Sequence, residues 1–261
     1  MRVITTTLLF YGAAVAAVFG LQLVAVTALV TRRSGAFDLE RDGLPALLVG
    51  VPASSLALIA VAWLAAGHPR RERLRLLPSP LPAGALAAMI VGTLALSQAL
   101  ESLTHLLGVG PGANLDWIAR TLAGAGPLGL LLAVLVIGGL APVGEELFFR
   151  GFMLTRLRQV WSPGPAVLMT ALAFGVIHGE WVHGVLATGL GLYLGLVAER
   201  STSVIPPVIC HVANNTVSVL LSAAIGSPQG RGVNAALAVV SAVVFAGSLR
   251  WLPPPAPAEA R

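Results

Sequence analysis

The most regular feature of this sequence is a series of long apolar stretches separated by short polar connectors. Eight stretches approach or exceed the ~20 residues that a helix needs to cross the hydrocarbon core of a bilayer. They are residues 4–30, 44–66, 82–107, 127–149, 163–179, 184–198, 203–223 and 232–250. The connectors are rich in Gly, Pro, Asn, Asp and Ser, which end helices. The pattern predicts an all-α, polytopic membrane protein with about eight transmembrane helices, in which residues 1–252 form one bundle and 253–261 a disordered tail.

The composition excludes an ordinary soluble domain. Apolar residues make up 56% of the chain and charged residues only 10%, whereas soluble domains have about 45–50% and about 25%. All 16 basic residues are arginines, and most lie in short clusters between apolar stretches. Such clusters are typical of orientation signals in membrane proteins rather than of nucleic-acid binding. The single cysteine, Cys210, excludes an internal disulfide framework.

The distribution of the arginines predicts an orientation. With eight spans and a cytoplasmic amino terminus, eleven arginines lie inside and five outside, as the positive-inside rule requires. The inside set is Arg2, Arg70, Arg71, Arg73, Arg75, Arg150, Arg156, Arg158, Arg200, Arg250 and Arg261; the outside set is Arg32, Arg33, Arg41, Arg120 and Arg231. Both termini are therefore predicted to be cytoplasmic, and the Ala-rich, lysine-free composition favours a bacterial plasma membrane.

Two adjacent acids and an arginine at the end of the fourth stretch are the first candidates for chemistry, because ionisable residues within a span are costly. Glu146 and Arg150 are four residues apart with the acid first, the favoured order for an ion pair on one helix face. Glu145 lies about 100° further round the helix, so it is predicted to be a carboxylate free to accept a proton. Alternatively, all three are ordinary charges that flank a span at the membrane surface.

Histidines and an asparagine on two later stretches extend this group. His178 lies at the end of the fifth stretch, and His211 and Asn215 share one face of the seventh. Glu145 and His178 could activate one water for amide hydrolysis, while N–H donors of His211 and Asn215 stabilise the oxyanion. A zinc site with Glu145, His178 and His211 as ligands is also compatible with the sequence. We prefer the mechanism without a cofactor because Asn215 is a poor zinc ligand, although the sequence leaves Zn²⁺ open.

Two other patterns carry less information. The string from His178 to His183 resembles the zinc motif HExxH, but its histidines are five residues apart. They would lie about 140° apart round a helix, so they cannot bind one metal from one helix face. Glu101 and His105, four residues apart in the third stretch, are interpreted as a self-satisfied pair rather than as a proton relay.

The strings APVGEELFFRGFM, FGVIH and HVANN resemble the EExxxR, FxxxH and HxxxN motifs of the CPBP family, which includes the CAAX prenyl proteases of type II and the Abi proteins. The resemblance covers roughly 127–223. It implies an eight-helix intramembrane endopeptidase whose site opens toward the cytoplasm and whose substrate is a peptide or a prenylated or lipid-associated protein. It assigns the site to six residues, which are Glu145, Glu146, Arg150, His178, His211 and Asn215.

Two functions without hydrolysis compete with this hypothesis. One is a non-catalytic membrane protein that acts by binding, as an immunity protein does. The other is a proton-coupled carrier, which buried acids and histidines would suit, although the two halves of the chain show no matching broken helices. Hydrolysis requires the side chains of Glu145, His178, His211 and Asn215 to converge within about one water's reach of each other.

Overall fold

Helices make up most of the computed structural model, which describes residues 1–32, 36–226 and 230–254. No strand occurs in these residues. The ten helices are α1 (Arg2–Arg32), α2 (Leu39–Ala66), α3 (Arg70–Arg73), α4 (Ala83–Leu106), α5 (Ala113–Ala123), α6 (Pro127–Leu157), α7 (Pro163–Val176), α8 (Trp181–Ser201), α9 (Ile205–Ala224) and α10 (Arg231–Ser248). The predicted all-α fold is therefore confirmed.

Seven of the described helices are long and apolar enough to cross a membrane, and these are α1, α2, α4, α6, α8, α9 and α10. The predicted span at 163–179 contains α7, which has 14 residues and is about 21 Å long at 1.5 Å per residue. The chain is thus an integral membrane protein with seven long helices and one shorter apolar helix. Of the predicted tail at 253–261, residues 255–261 lie outside the part that the structure describes.

Helix α6 contains two π-helical segments, in which each N–H bonds the carbonyl five residues earlier. The segments are Val134–Leu140 and Leu147–Leu154. The N–H of Ala141, which would bond the carbonyl of Ile137 in an α-helix, bonds that of Val136 instead. In the π register Ile137 would need an N–H from residue 142, which is a proline and has none. The carbonyl of Ile137 is therefore left without a partner in its own helix.

Glycines bring the central helices into close backbone contact, as small residues do in membrane bundles. A Cβ atom on Gly144 of α6 would lie 2.8 Å from the carbonyl oxygen of Ser55 in α2. A Cβ atom on Gly175 of α7 would lie 2.5 Å from the carbonyl oxygen of Gly184 in α8. Both distances are shorter than side chains tolerate, so these contacts require glycine. They hold α6 against α2 and α7 against α8, around the polar residues of the motifs.

Helix α5 was not expected from the sequence, which placed only a connector between the third and fourth spans. Its 11 residues are amphipathic. Trp117, Ile118 and Leu122 line the interior of the bundle, whereas Asp116 and Arg120 form an exposed ion pair on the other face. Because α5 is short and carries two charges, a search for apolar stretches long enough to cross a bilayer passes over it.

Candidate active site

A buried ion pair on α6 anchors the site. The guanidinium of Arg150 donates from Nη1 to Oε1 of Glu146 over 2.5 Å, and both side chains are 0% exposed. Its Nη2 donates to the carbonyl of Gly191 in α8 over 3.0 Å, and its charge lies 4.7 Å from the centre of the Phe174 ring. The expected i, i+4 pair is present. The alternative, in which these charges flank a span at the membrane surface, is wrong for Glu146 and Arg150.

His211 on α9 joins this pair to the second acid. Its Nδ1 lies 2.8 Å from Oε1 of Glu146, and since a carboxylate oxygen only accepts, Nδ1–H is the donor. The other nitrogen, Nε2, lies 3.7 Å from Oε2 of Glu145. The side chain of Glu145 is 20% exposed while that of Glu146 is fully buried. The two adjacent glutamates are thus in different environments: Glu146 is bonded to Arg150 and His211, and Glu145 is accessible.

His178 follows the carboxyl end of α7. Its Nδ1 lies 2.7 Å from the carbonyl oxygen of Phe174, so Nδ1–H donates and, in the neutral ring, Nε2 keeps its lone pair. The imidazole also packs edge-on against the Phe174 ring, with centroids 4.9 Å apart, and His211 packs against the same ring at 5.8 Å. Phe174 therefore separates and orients the two histidines of the motifs.

Asn215 supplies the hydrogen bond that α6 lacks. Its Nδ2 donates to the carbonyl of Ile137 over 3.2 Å, and its Oδ1 accepts from Nδ2 of Asn214 over 3.3 Å. These two bonds fix the orientation of the amide, because a carbonyl oxygen can face only a donor. One N–H of Asn215 compensates for the proline at position 142, and the second N–H remains for another acceptor.

Glu145, His178, His211 and Asn215 all line one cavity of about 650 Å³. Its other lining residues are mainly apolar and come from α1, α2 and each of the helices α4 to α9. Cavities of this volume hold small ligands or short peptide segments. The four candidate side chains therefore share one cavity, and within it His211 and Glu145 lie 3.7 Å apart.

The structure also places His183 in this cavity, which the sequence analysis did not anticipate. The angle argument against the His178 and His183 pair assumed one helix, but the chain turns between α7 and α8 and brings their rings to 4.2 Å between centroids. Glu180 caps α8 by accepting from the N–H groups of Val182 and His183. Burial raises the pKa of the Glu180 carboxyl, but the two hydrogen bonds outweigh this effect, so the pKa lies below its usual range.

The expected pairing of Glu101 with His105 is not found, since no hydrogen bond or ion pair joins them in the described part of the chain. Glu101 lines the cavity, whereas His105 lines a separate cleft between α5 and the end of α9. Glu101 is therefore a second carboxylate in the cavity, and it lies outside the hydrogen-bonded group of Glu145, Glu146 and His211.

The candidate zinc ligands do not fit a metal site as they are arranged. Among the residues that the structure describes, no group of three or more His, Cys, Asp or Glu side chains could hold a metal ion. Glu145, His178 and His211 share the cavity, and each histidine uses Nδ1 for a hydrogen bond, which leaves Nε2 as the nitrogen that can bind water or a metal.

Comparisons with known proteins agree with the motifs. Residues 127–217 match the family of Rce1-like, type II CAAX prenyl endopeptidases. An uncharacterized 24.3 kDa protein of Escherichia coli is 29% identical over 168 residues, which cover 62% of this chain and 72% of that protein. YdiL of Bacillus subtilis (strain 168), whose name marks it as a candidate membrane peptidase, is 26% identical over 90 residues, which cover 34% of this chain and 37% of YdiL. No solved structure matches. The resemblance inferred from the three motifs is confirmed, because the segment that matches the Rce1-like, type II CAAX prenyl endopeptidase family contains all three of them.

Proposed function

We propose that this protein is an intramembrane endopeptidase in which Glu145 activates a water molecule for attack on a peptide bond. The observation that carries the proposal is the division between the two adjacent glutamates. Glu146 is fully buried and bonded to Arg150 and His211, whereas Glu145 is partly exposed to the cavity. A carboxylate that is not bonded to the arginine and faces a cavity is the group expected of a general base.

In the proposed first step, Glu145 takes a proton from a water molecule whose oxygen attacks the scissile carbonyl carbon. His178 assists from the same cavity, because its Nε2 can accept the second hydrogen of that water. The carbonyl becomes a tetrahedral oxyanion. Positioned acid–base groups of this kind contribute about 10²–10⁴-fold to a rate.

His211 and Asn215 stabilise the oxyanion that forms in this first step. Asn215 has one N–H left after its bond to Ile137, and His211 can donate from Nε2 when that atom carries a proton. With His211 protonated, the charges of Glu145, Glu146, Arg150 and His211 sum to zero, which suits a group buried in an apolar bundle. Each preorganised donor is worth about 2.7–4 kcal/mol of transition-state stabilisation.

The intermediate then collapses and the carbon–nitrogen bond breaks. Glu145 returns its proton to the leaving nitrogen, so the products are a new carboxylic acid and a new amine, which then ionise to carboxylate and ammonium, and one water has been consumed. No other reactant is needed. The family implies a peptide or prenylated protein as substrate, and the mainly apolar lining of the cavity supports a membrane-associated one. Both relatives are bacterial proteins, which supports the bacterial plasma membrane as the location.

The test is cleavage by the purified protein in lipid vesicles, with quenched peptide libraries in farnesylated and unmodified form and with membrane proteins from the source cells. New amino termini are identified by mass spectrometry. Glu145→Gln keeps the shape of the side chain and is expected to lose cleavage by about 10²–10⁴-fold. Glu101→Gln is the matched control, because it neutralises the second carboxylate of the same cavity and is expected to retain cleavage. Equal activity of Glu145→Gln and the wild-type protein would refute the proposal.

A further inference from the structure

The cavity occupies only one half of the bundle. In α2 and α6 the lining positions are central, at 46–58 and 137–145, but in four other long helices they lie toward the end remote from the side where the two termini lie. They fall at 18–26 in α1, 97–101 in α4, 183–190 in α8 and 211–222 in α9. Helix α5, which connects α4 to α6 on that remote side, contributes along its whole length. The cavity therefore extends from the candidate catalytic residues toward the face of the bundle opposite the termini.

The other half of the bundle is closed. Below the site, toward the termini, α6 presents five large side chains that are at most 1% exposed. They are Phe148, Phe149, Phe152, Met153 and Leu154. Phe10 and Tyr11 of α1 pack edge-on against two of these rings, and none of the seven residues lines the cavity. These side chains fill the bundle between Glu145 and the side of the termini.

Arginines mark this closed side. Arg150 belongs to the buried ion pair and is not a loop charge, and Arg33 and Arg261 lie outside the described residues. Nine arginines then lie at helix ends on the closed side, and four lie on the open side. The closed side has Arg2, Arg70, Arg71, Arg73, Arg75, Arg156, Arg158, Arg200 and Arg250, and the open side has Arg32, Arg41, Arg120 and Arg231. All lie in short connectors or at helix ends, where the positive-inside rule applies.

We infer that the catalytic cavity opens to the non-cytoplasmic face of the membrane, and that its substrate is a membrane-anchored polypeptide whose cleavable segment is presented from that face. That the cavity holds a substrate for cleavage rests on the proposed function, whereas the direction in which the cavity opens rests only on its lining residues and on the positions of the arginines. It differs from the expectation carried by the family resemblance, in which the site opens toward the cytoplasm. In this fold the cavity and the termini face opposite sides of the membrane. A site that opens toward the cytoplasm and termini that lie in the cytoplasm therefore exclude one another.

Cysteine labelling tests the direction of opening. The chain has a single cysteine, Cys210, which is 0% exposed, so the wild-type protein gives a low background. Two matched valines report the two faces: Val109, 41% exposed, lies in the connector before α5, and Val160, 44% exposed, lies in the connector between α6 and α7. Ser218 is exposed within the cavity and is changed to cysteine with little change in shape.

A membrane-impermeant maleimide is applied to intact cells, and permeabilised cells confirm that every thiol can react. Val109→Cys and Ser218→Cys are expected to label in intact cells, and Val160→Cys only after permeabilisation. Labelling of Val160→Cys but not Val109→Cys in intact cells would overturn the orientation. Labelling of Val109→Cys without Ser218→Cys would show that the cavity does not open on that face. None of these outcomes depends on catalysis, so failure of the proposed endopeptidase in the cleavage assay remains distinguishable from failure of this inference.

Discussion

The hydrogen bond between Asn215 and the carbonyl of Ile137 leads to a prediction about stability and catalysis together. The proline at position 142 leaves that carbonyl without a donor in α6, and Asn215 supplies one from α9. Asn215→Ala removes the donor and leaves a backbone carbonyl unpaired in the bundle. Pro142→Ala restores an N–H to α6, so the same carbonyl can be bonded by its own helix. The cost of Asn215→Ala should therefore depend on residue 142.

The magnitude follows from the strength of interhelical hydrogen bonds in membranes, which average about 0.6 kcal/mol and reach about 1.7 kcal/mol. An unsatisfied buried carbonyl adds to that loss, so Asn215→Ala is expected to reduce the free energy of unfolding by about 1–2 kcal/mol. In the Pro142→Ala background only the lost packing of the side chain remains. The coupling energy between the two positions is therefore expected to be about 1 kcal/mol, a factor of about five in the unfolding constant.

Unfolding of the four proteins of this cycle in mixed micelles, followed by helical circular dichroism, measures the coupling. Equal costs of Asn215→Ala in both backgrounds would refute the role of Asn215 in satisfying α6. Cleavage provides a second measurement: loss of one oxyanion donor costs about 10²–10³-fold in turnover, and Pro142→Ala does not replace it. If the double variant recovered cleavage together with stability, Asn215 would have a structural role alone.

Three other perturbations have expected outcomes. Glu146→Gln leaves Arg150 as an unpaired buried charge and should reduce the free energy of unfolding by about 3–5 kcal/mol. Combining it with Arg150→Met should recover stability but not cleavage, because His211 still lacks its carboxylate partner. A double variant as unstable as the single one would contradict this expectation. Gly144→Ala should destabilise the protein by about 1–3 kcal/mol through its contact with α2, while Gly164→Ala, with nothing within 4 Å, should be neutral or slightly stabilising in thermal unfolding. Cleavage should survive treatment with a chelator such as 1,10-phenanthroline, and its loss and recovery on adding Zn²⁺ would support the zinc site instead.

Spacing along a helix was sufficient to predict the central ion pair. Glu146 and Arg150 are four residues apart in α6, and the same spacing places Glu145 on another face, which matches the difference in exposure between the two glutamates. The long spans were equally accessible to sequence reasoning, because ~20 consecutive apolar residues have few alternatives to a transmembrane helix. These features depend on one helix at a time, which is why the sequence predicts them.

Contacts between helices were harder to predict. The rings of His178 and His183 meet only because the chain turns between α7 and α8, and the bond from Asn215 to Ile137 depends on a π-helical segment that periodicity does not reveal. The direction in which the cavity opens is a further case. Arginine counts predict which side of the membrane the termini occupy, and the motifs predict which residues react. Neither pattern predicts whether the reacting residues are reached from the side of the termini or from the opposite side. That relation requires the packed bundle, in which large side chains of α6 close the arginine-rich side and α5 lines the opposite one.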